Sequence, residues 1–290
     1  MQIKIYPLIT TLILAVSALS CNKAEIPVSE PEEITVSYNV TLDEQTKAIG
    51  DGQTANFVWY AIYKVIETEG TVSYVLSTPP AMVPISASAP AECPVTMVRD
   101  QAYKVVFVSQ YYSKETQPYV PSYWITSETA TLHMPDEPIA NSDRYDLFSY
   151  VDTIEKYSGS TNKSVQLSRM VAQVNFVTDP SDLAAAEIAG KTPEQSAVIL
   201  AGVPQSVSLL DGTVSDNTKT VQYQKAQIAG IDQNHLATVF CLASPEGNDV
   251  NASLYIYKGT DTLLKEYAQI TRIPCRANYR TNVKVSYTFE

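Results

Sequence analysis

The side chains best suited to acid–base chemistry at neutral pH are two histidines, and neither lies in a catalytic motif. His133 falls in an expected strand and His235 in an expected turn, and no HExxH or GxSxG pattern surrounds them. The run Gly50–Gly52 lacks the third glycine and the strand-to-helix context of a phosphate loop. Acidic pairs occur without the spacing of a calcium loop. The sequence therefore predicts no enzyme, no cofactor and no metal site.

The clearest covalent chemistry lies at the N-terminus. Lys4 precedes an apolar run from Leu8 to Leu19, which is shorter than the roughly 20 residues of a membrane-spanning helix. It predicts a removed signal peptide over residues 1–20. Ala18–Cys21 resembles the lipobox of bacterial lipoproteins, which implies a lipid on the Cys21 thiol that anchors the protein to a membrane. An ordinary signal peptide before a coincidental cysteine is the alternative.

Residues 21–33 are polar, acidic and interrupted by prolines, as in a flexible tether. An acidic stretch directly after a lipidated cysteine also resembles signals that send lipoproteins to the outer cell surface in some Gram-negative bacteria, although a plain solvated spacer fits equally. The whole chain carries 20 basic and 31 acidic side chains, for a formal net charge of −11. This balance argues against a nucleic-acid partner.

The most regular strand pattern follows the tether. Apolar and polar residues alternate with a period of two, which places one side of an extended strand in a core. The inward positions are Ile34, Val36, Tyr38, Val40 and Leu42. On burial each is worth up to roughly 1.5 to 3 kcal/mol.

Further strand patterns recur in both halves of the chain. Phe57–Ile66 is apolar on both faces, as in a central strand, whereas the prolines of Thr78–Pro94 predict a loop or an edge strand. Asp179 and Pro180 predict the start of a short helix, and a second is expected within Asn141–Ile154. Many short strands with little helix predict an all-β fold of two antiparallel β-sandwiches.

The stretch Ser158–Asn162 is the most linker-like in composition, so we expect the domain boundary there. The N-terminal sandwich domain would span residues 34–160 and the C-terminal one residues 161–290. The total length suits two domains of ordinary size.

Three cysteines remain beside Cys21, so at most one internal disulfide can form. Cys241 with Cys275 is the favoured pair because both lie in the same half of the chain. Three free, buried thiols, with Cys93 as the third, are the alternative.

An aromatic-rich stretch comes before the middle of the chain. Aromatic rings with a polar group suit glycan or protein recognition, while core packing is the alternative explanation. The stretch comprises Tyr111, Tyr112, Tyr119, Tyr123 and Trp124.

Four segments resemble the fimbrillin family, the subunits of type V pili. Thr46–Gly52 followed by Phe57–Tyr63 looks like the start of its members, Arg169–Phe176 like the opening strand of their second domain, and Ile273–Val283 like their closing segment. The resemblance implies two transthyretin-like sandwiches, export to the cell surface and assembly by donor-strand exchange. In that scheme a protease removes the first strand, and a strand from another subunit replaces it.

From this resemblance we expect a lipid-anchored protein of the outer membrane, displayed on the cell surface or in the fimbrium. It would be a fimbrial subunit, or an anchor or accessory component, that supports adhesion. Its partners would be other pilus subunits or itself, and a glycan or a host protein as receptor. The candidate processing bond joins Lys47 and Ala48, where the family usually has Arg before Ala. A surface glycan-binding lipoprotein with tandem sandwiches is the alternative.

Overall fold

The computed structural model describes residues 32–43, 54–86, 89–115, 118–228 and 234–289. Strands predominate within them, as the Val, Thr and Tyr content predicts. The strands are β1 (Glu33–Leu42), β2 (Phe57–Thr68), β3 (Thr71–Leu76), β4 (Ala81–Pro84), β5 (Ala91–Val98), β6 (Tyr103–Gln110), β7 (Tyr112–Ser113), β8 (Val120–Pro121), β9 (Trp124–Thr126), β10 (Thr131–His133), β11 (Phe148–Ile154), β12 (Thr161–Arg169), β13 (Val171–Val177), β14 (Gln195–Pro204), β15 (Ser206–Ser208), β16 (Thr218–Gln227), β17 (His235–Leu242), β18 (Asn248–Lys258), β19 (Thr262–Cys275) and β20 (Arg280–Lys284). The α-helix α1 spans Pro180–Ile188, and a 3-10 turn spans Asp143–Tyr145.

The first sheet has the strand order β3-β2-β6-β11-β12-β1-β5, with β4 paired to β2 beside this path. Thr78–Pro94 contributes β4 and the beginning of β5, which lies at the edge of the sheet. Pro94 is opposite Ser37 of β1. A proline fits there because an edge strand tolerates the loss of a backbone donor. The expected loop or edge position is confirmed.

The central strands β2 and β6 separate two hydrophobic cores. One face, including Tyr60 and Phe107, packs into a first core together with β1, β5 and β12. The opposite face, including Tyr63 and Val108, packs into a second core. The apolar residues on both faces of Phe57–Ile66 predict a central strand, and the position of β2 between the two cores confirms this prediction.

The second half of the chain forms a three-stranded sheet, β17-β13-β20, and a four-stranded sheet, β16-β14-β18-β19. Side chains from both sheets meet in the second core, among them Phe176, Leu200 and Phe240. This arrangement confirms the all-β, multi-sandwich prediction. Most strand pairs are antiparallel, as expected, but β1 with β12 and β13 with β20 run parallel.

Helix α1 begins after Asp179 with Pro180 in its first turn, as predicted. The second short helix, expected within Asn141–Ile154, is reduced to the 3-10 turn, because β11 occupies the chain from Phe148 onward.

The linker-like stretch Ser158–Asn162 lies between β11 and β12 and enters β12. Strand β12 pairs with β1 and with β11, so it belongs to the first sheet although it follows the expected boundary. The chain passes from the first sheet to the three-stranded sheet at Met170, between β12 and β13. Small polar residues are equally common in tight turns and in linkers, so composition alone did not separate the two.

Candidate functional site

Strand β1 has the alternating burial that its sequence predicts. Its five inward side chains are between 0% and 8% exposed, whereas the residues between them face solvent. The inward set is Ile34, Val36, Tyr38, Val40 and Leu42. These side chains pack in the first core. The expected strand and its expected buried face are therefore both present.

Strand β1 lies between β5 and β12, and we call this position the seam. It pairs antiparallel with β5, with Val36 opposite Val95, and parallel with β12, with Val40 opposite Val165. The pairing extends past the strand end, where the Asp43 amide donates to the Leu167 carbonyl over 3.0 Å. Since β1 is the only strand between β5 and β12 in the described sheet order, its loss would leave two open backbone edges.

One inward side chain of β1 is polar. The Tyr38 hydroxyl donates to Asp152 Oδ2 over 2.7 Å, and Lys163 Nζ donates to the same oxygen over 2.6 Å. The Tyr38 ring also packs on Phe107, with centroids 4.9 Å apart. Burial, and then the hydrogen bond to Asp152, raises the pKa of Tyr38 well above its ordinary value, so the hydroxyl stays protonated. Tyr38 thus joins β1 to both β11 and β12.

Sequence analysis identified Tyr38 but neither of its partners. A tyrosine within a buried apolar alternation indicates that its hydroxyl makes a hydrogen bond to some polar group in the core. Asp152 and Lys163 come from strands far along the chain, and their pairing with Tyr38 depends on the fold.

A more deeply buried ion pair lies where β12 ends. Arg169 Nε donates to Asp146 Oδ1 over 2.6 Å and Nη2 donates to Oδ2 over 2.8 Å, with both side chains at most 4% exposed. The neighbouring Met170 amide donates to the Leu147 carbonyl over 3.0 Å. The two-pronged contact fixes the end of β12, the strand that forms one wall of the seam, against the segment before β11.

The aromatic stretch does not form one surface. Tyr112 and Tyr123 are 5% and 0% exposed, so the expectation that they contact a glycan is wrong. The Tyr123 hydroxyl donates to the Tyr145 carbonyl, which satisfies its polar end inside the protein. The amphipathic tyrosine side chain serves cores and surfaces alike, so its presence in the sequence could not distinguish them.

The other three aromatic residues have different surroundings. Tyr111 lies under the Arg144 guanidinium, 4.7 Å from its ring centroid, and Tyr119 packs on Phe57. Trp124 is 66% exposed. It is the member of the five with a largely free ring face.

Trp124 borders a cleft of about 530 Å³ that also includes His133 and Gln205. Lys219 also lines the cleft, and its Nζ donates to Asp136 Oδ1 over 2.7 Å and to the Met134 carbonyl over 2.6 Å. The hydrogen bond and charge of Lys219 lower the pKa of Asp136, so its carboxylate is ionised at neutral pH.

Several sequence expectations concern the chemistry of individual residues. Cys21, Lys47 and Ala48 lie outside the described residues. Cys93, Cys241 and Cys275 are buried free thiols, which agrees with the alternative to a disulfide.

The remaining polar candidates do not converge. His133 Nε2 is 2.9 Å from the Thr126 hydroxyl, and His235 is buried in β17. Over the described ranges, no three metal-ligating side chains converge. The same part of the chain holds no helix that is both long and apolar enough to cross a bilayer.

The comparison with family models gives one match. A family described only as a family of unknown function, DUF6562, matches residues 27–286, which include the sheets described above and the seam. No curated protein matches the sequence.

Solved structures resemble this chain at low sequence identity. A crystal structure described as "putative polysaccharide binding proteins" from Bacteroides thetaiotaomicron has a TM-score of 0.50 at 9% identity, over 89% of this chain and 92% of the other. A fimbrial assembly protein from Parabacteroides distasonis has a TM-score of 0.41 at 12% identity, over 89% and 93% of the two chains. The fimbrial anchor protein Mfa2 from Porphyromonas gingivalis has a TM-score of 0.42 at 12% identity, over 82% of each chain. At such identities the first similarity shows a common fold and nothing about function.

Proposed function

We infer that this chain, which belongs to the family of unknown function DUF6562, is a cell-surface lipoprotein of fimbrial type. It would act as a fimbrial subunit or as an anchor or accessory component, and it would assemble by β-strand complementation. The observation that carries this proposal is the position of β1: it is the first described strand of the chain and yet an interior strand of the first sheet.

A strand in that position is separable. A single cut between residues 43 and 54 leaves β1 held by non-covalent contacts alone, while every connection among the later strands stays intact. By contrast, removal of β6 or β11 would require two cuts. The bond between Lys47 and Ala48 lies in this interval.

The energetics favour refilling of the seam. Burial of the five inward side chains is worth at most roughly 8 to 15 kcal/mol, which is comparable with the net stability of a typical domain. Without β1, the facing edges of β5 and β12 have backbone donors and acceptors available to an added strand. A chain that has lost β1 therefore binds a suitable strand of another subunit.

The first experiment is N-terminal sequencing of protein purified from the cell surface. A lipidated Cys21 end supports an anchor or accessory component, and a new end at Ala48 supports a stalk subunit. Lys47→Ala removes the Ala48 end, whereas the control Lys64→Ala, at an exposed position of β2, retains it. A protein that keeps β1, carries no lipid and is monomeric on the surface would contradict the proposal.

The Trp124 cleft supports glycan binding as a second candidate function. An exposed indole can stack on a sugar ring, and the Asp136–Lys219 pair and Gln205 supply polar groups beside it. Retention on a glycan array should be lost in Trp124→Ala. The matched control is Tyr279→Ala, since Tyr279 is 53% exposed and does not border the cleft. Equal retention by both variants would exclude this cleft.

A further inference from the structure

Tyr38 gives the seam a chemical preference that its apolar neighbours do not provide. The acceptor of its hydroxyl, Asp152 Oδ2, belongs to β11, and the lysine that shares this oxygen belongs to β12. Both partners remain in the rest of the chain, which we call the body, when β1 departs. Asp152 is 7% exposed, so its environment is that of a buried carboxylate next to one partly exposed cation.

The apolar alternation alone leaves the register of an added strand undetermined. A shift by one residue would turn the apolar face outward, which excludes it. A shift by two residues keeps every apolar residue inward and moves each by about 6.8 Å. Val36 or Val40 would then lie next to Asp152 in place of Tyr38.

We propose that the Asp152–Lys163 pair selects, and sets the register of, any strand that fills the seam. The preferred occupant is a β-strand with a tyrosine at the inward position opposite Lys163 and apolar residues two and four positions to either side. This inference rests on the proposed function and adds the chemistry of the partner strand. In the self-filled chain that tyrosine is Tyr38, which is opposite Lys163 in the β1–β12 register.

Rejection of the wrong strand follows from desolvation. A strand with Phe in the tyrosine position would cover Asp152 without replacing the lost water, and a site built around a hydroxyl discriminates strongly against an analogue that lacks it. A hydrogen bond to a charged group corresponds to about a 10- to 100-fold difference in affinity.

The experiment uses the full chain with a protease site introduced between residues 44 and 53. After cleavage, mild denaturant releases β1, and fluorescent peptides of residues 32–43 compete for the seam during refolding. The peptides are the native sequence, Tyr38→Phe, a version in which Val36 and Tyr38 are exchanged, and the outward control Asn39→Ser. Each is measured on the native body and on Asp152→Ala, with Asp100→Ala as an exposed carboxylate control.

On the native and Asp100→Ala bodies we expect the Tyr38→Phe and exchanged peptides to bind about 10- to 100-fold more weakly than the native peptide, and Asn39→Ser to bind equally. On Asp152→Ala the preference for Tyr over Phe should disappear. Binding of all peptides with equal affinity to the native body would overturn the selection rule and leave strand complementation standing. Failure of every peptide, the native one included, would overturn complementation and the selection rule with it.

Discussion

The alternating burial of β1 predicts a large difference between its two faces in the effect of substitutions. Val36 and Val40 are fully buried in the first core, whereas Ser37 and Asn39 between them point to solvent. Replacement of a buried valine by alanine removes two methyl groups and leaves a small cavity, at a cost of about 2 to 3 kcal/mol. The two valines are about 13 Å apart along the strand, so their effects should add. Val36→Ala with Val40→Ala should therefore lower the free energy of unfolding by about 4 to 6 kcal/mol.

Urea denaturation followed by fluorescence is the measurement. Trp59 lies in β2 of the same sheet and reports on it directly. With a slope near 3 kcal/mol per molar urea, the midpoint should fall by about 1.3 to 2 M without a change in the slope. The outward control, Ser37→Ala with Asn39→Ser, should stay within about 0.5 kcal/mol of the native chain. A loss below about 1 kcal/mol for the inward pair would refute the idea that these side chains hold β1 in the seam.

Two further predictions concern buried groups outside β1. Asp146→Asn removes the carboxylate charge that faces the buried Arg169 guanidinium and should cost about 3 to 5 kcal/mol in urea denaturation, whereas Lys156→Gln, which removes an exposed ion pair, should cost less than about 0.5 kcal/mol. Burial raises the pKa of the Cys93 thiol to about 12, and the hydrogen bond with Cys275 together with burial raises that of Cys241. Since Cys93, Cys241 and Cys275 are all fully buried, a thiol reagent at mildly alkaline pH should label none of them in the folded protein and all three in denaturant without reductant; two that stay unlabelled in denaturant would show a disulfide.

Local patterns in the sequence were sufficient for the most regular elements but not for the segment Asn141–Ile154, where a helix was expected and a 3-10 turn and β11 are found. The alternation from Ile34 to Leu42 defined β1 and its buried face, and Asp179 with Pro180 defined the start of α1. These signals depend on neighbouring residues only, so they can be read from the sequence without knowledge of the fold.

Contacts between distant strands were not predictable in the same way. The Thr35 amide donates to the Ser160 hydroxyl across a sequence separation of 125 residues, and no local feature of either residue predicts this hydrogen bond. The same holds for Asp152 and Lys163 as partners of Tyr38. Composition also failed where aromatic residues occur both in cores and on surfaces, as with the buried Tyr123 and the exposed Trp124.

The covalent link between β1 and the later strands determines when a strand from another chain can replace β1 in the seam. Before any cleavage, the segment of residues 44–53 keeps β1 near the seam at an effective concentration of order millimolar, which a strand from another chain rarely matches. An uncut chain is therefore filled by its own β1 and should not take up the labelled native peptide, while the cleaved chain should.

If the proposed function holds, cleavage decides the place of this protein in an assembly. If Lys47 stays uncut, the seam is already occupied, and the chain accepts no strand there. Such a chain would suit one end of a filament, as an anchor or accessory component does, and not its repeating stalk. Uptake of the peptide by the uncut chain at the same rate as by the cleaved one would contradict this reasoning, because the covalent link through residues 44–53 would then give β1 no advantage over a free competitor.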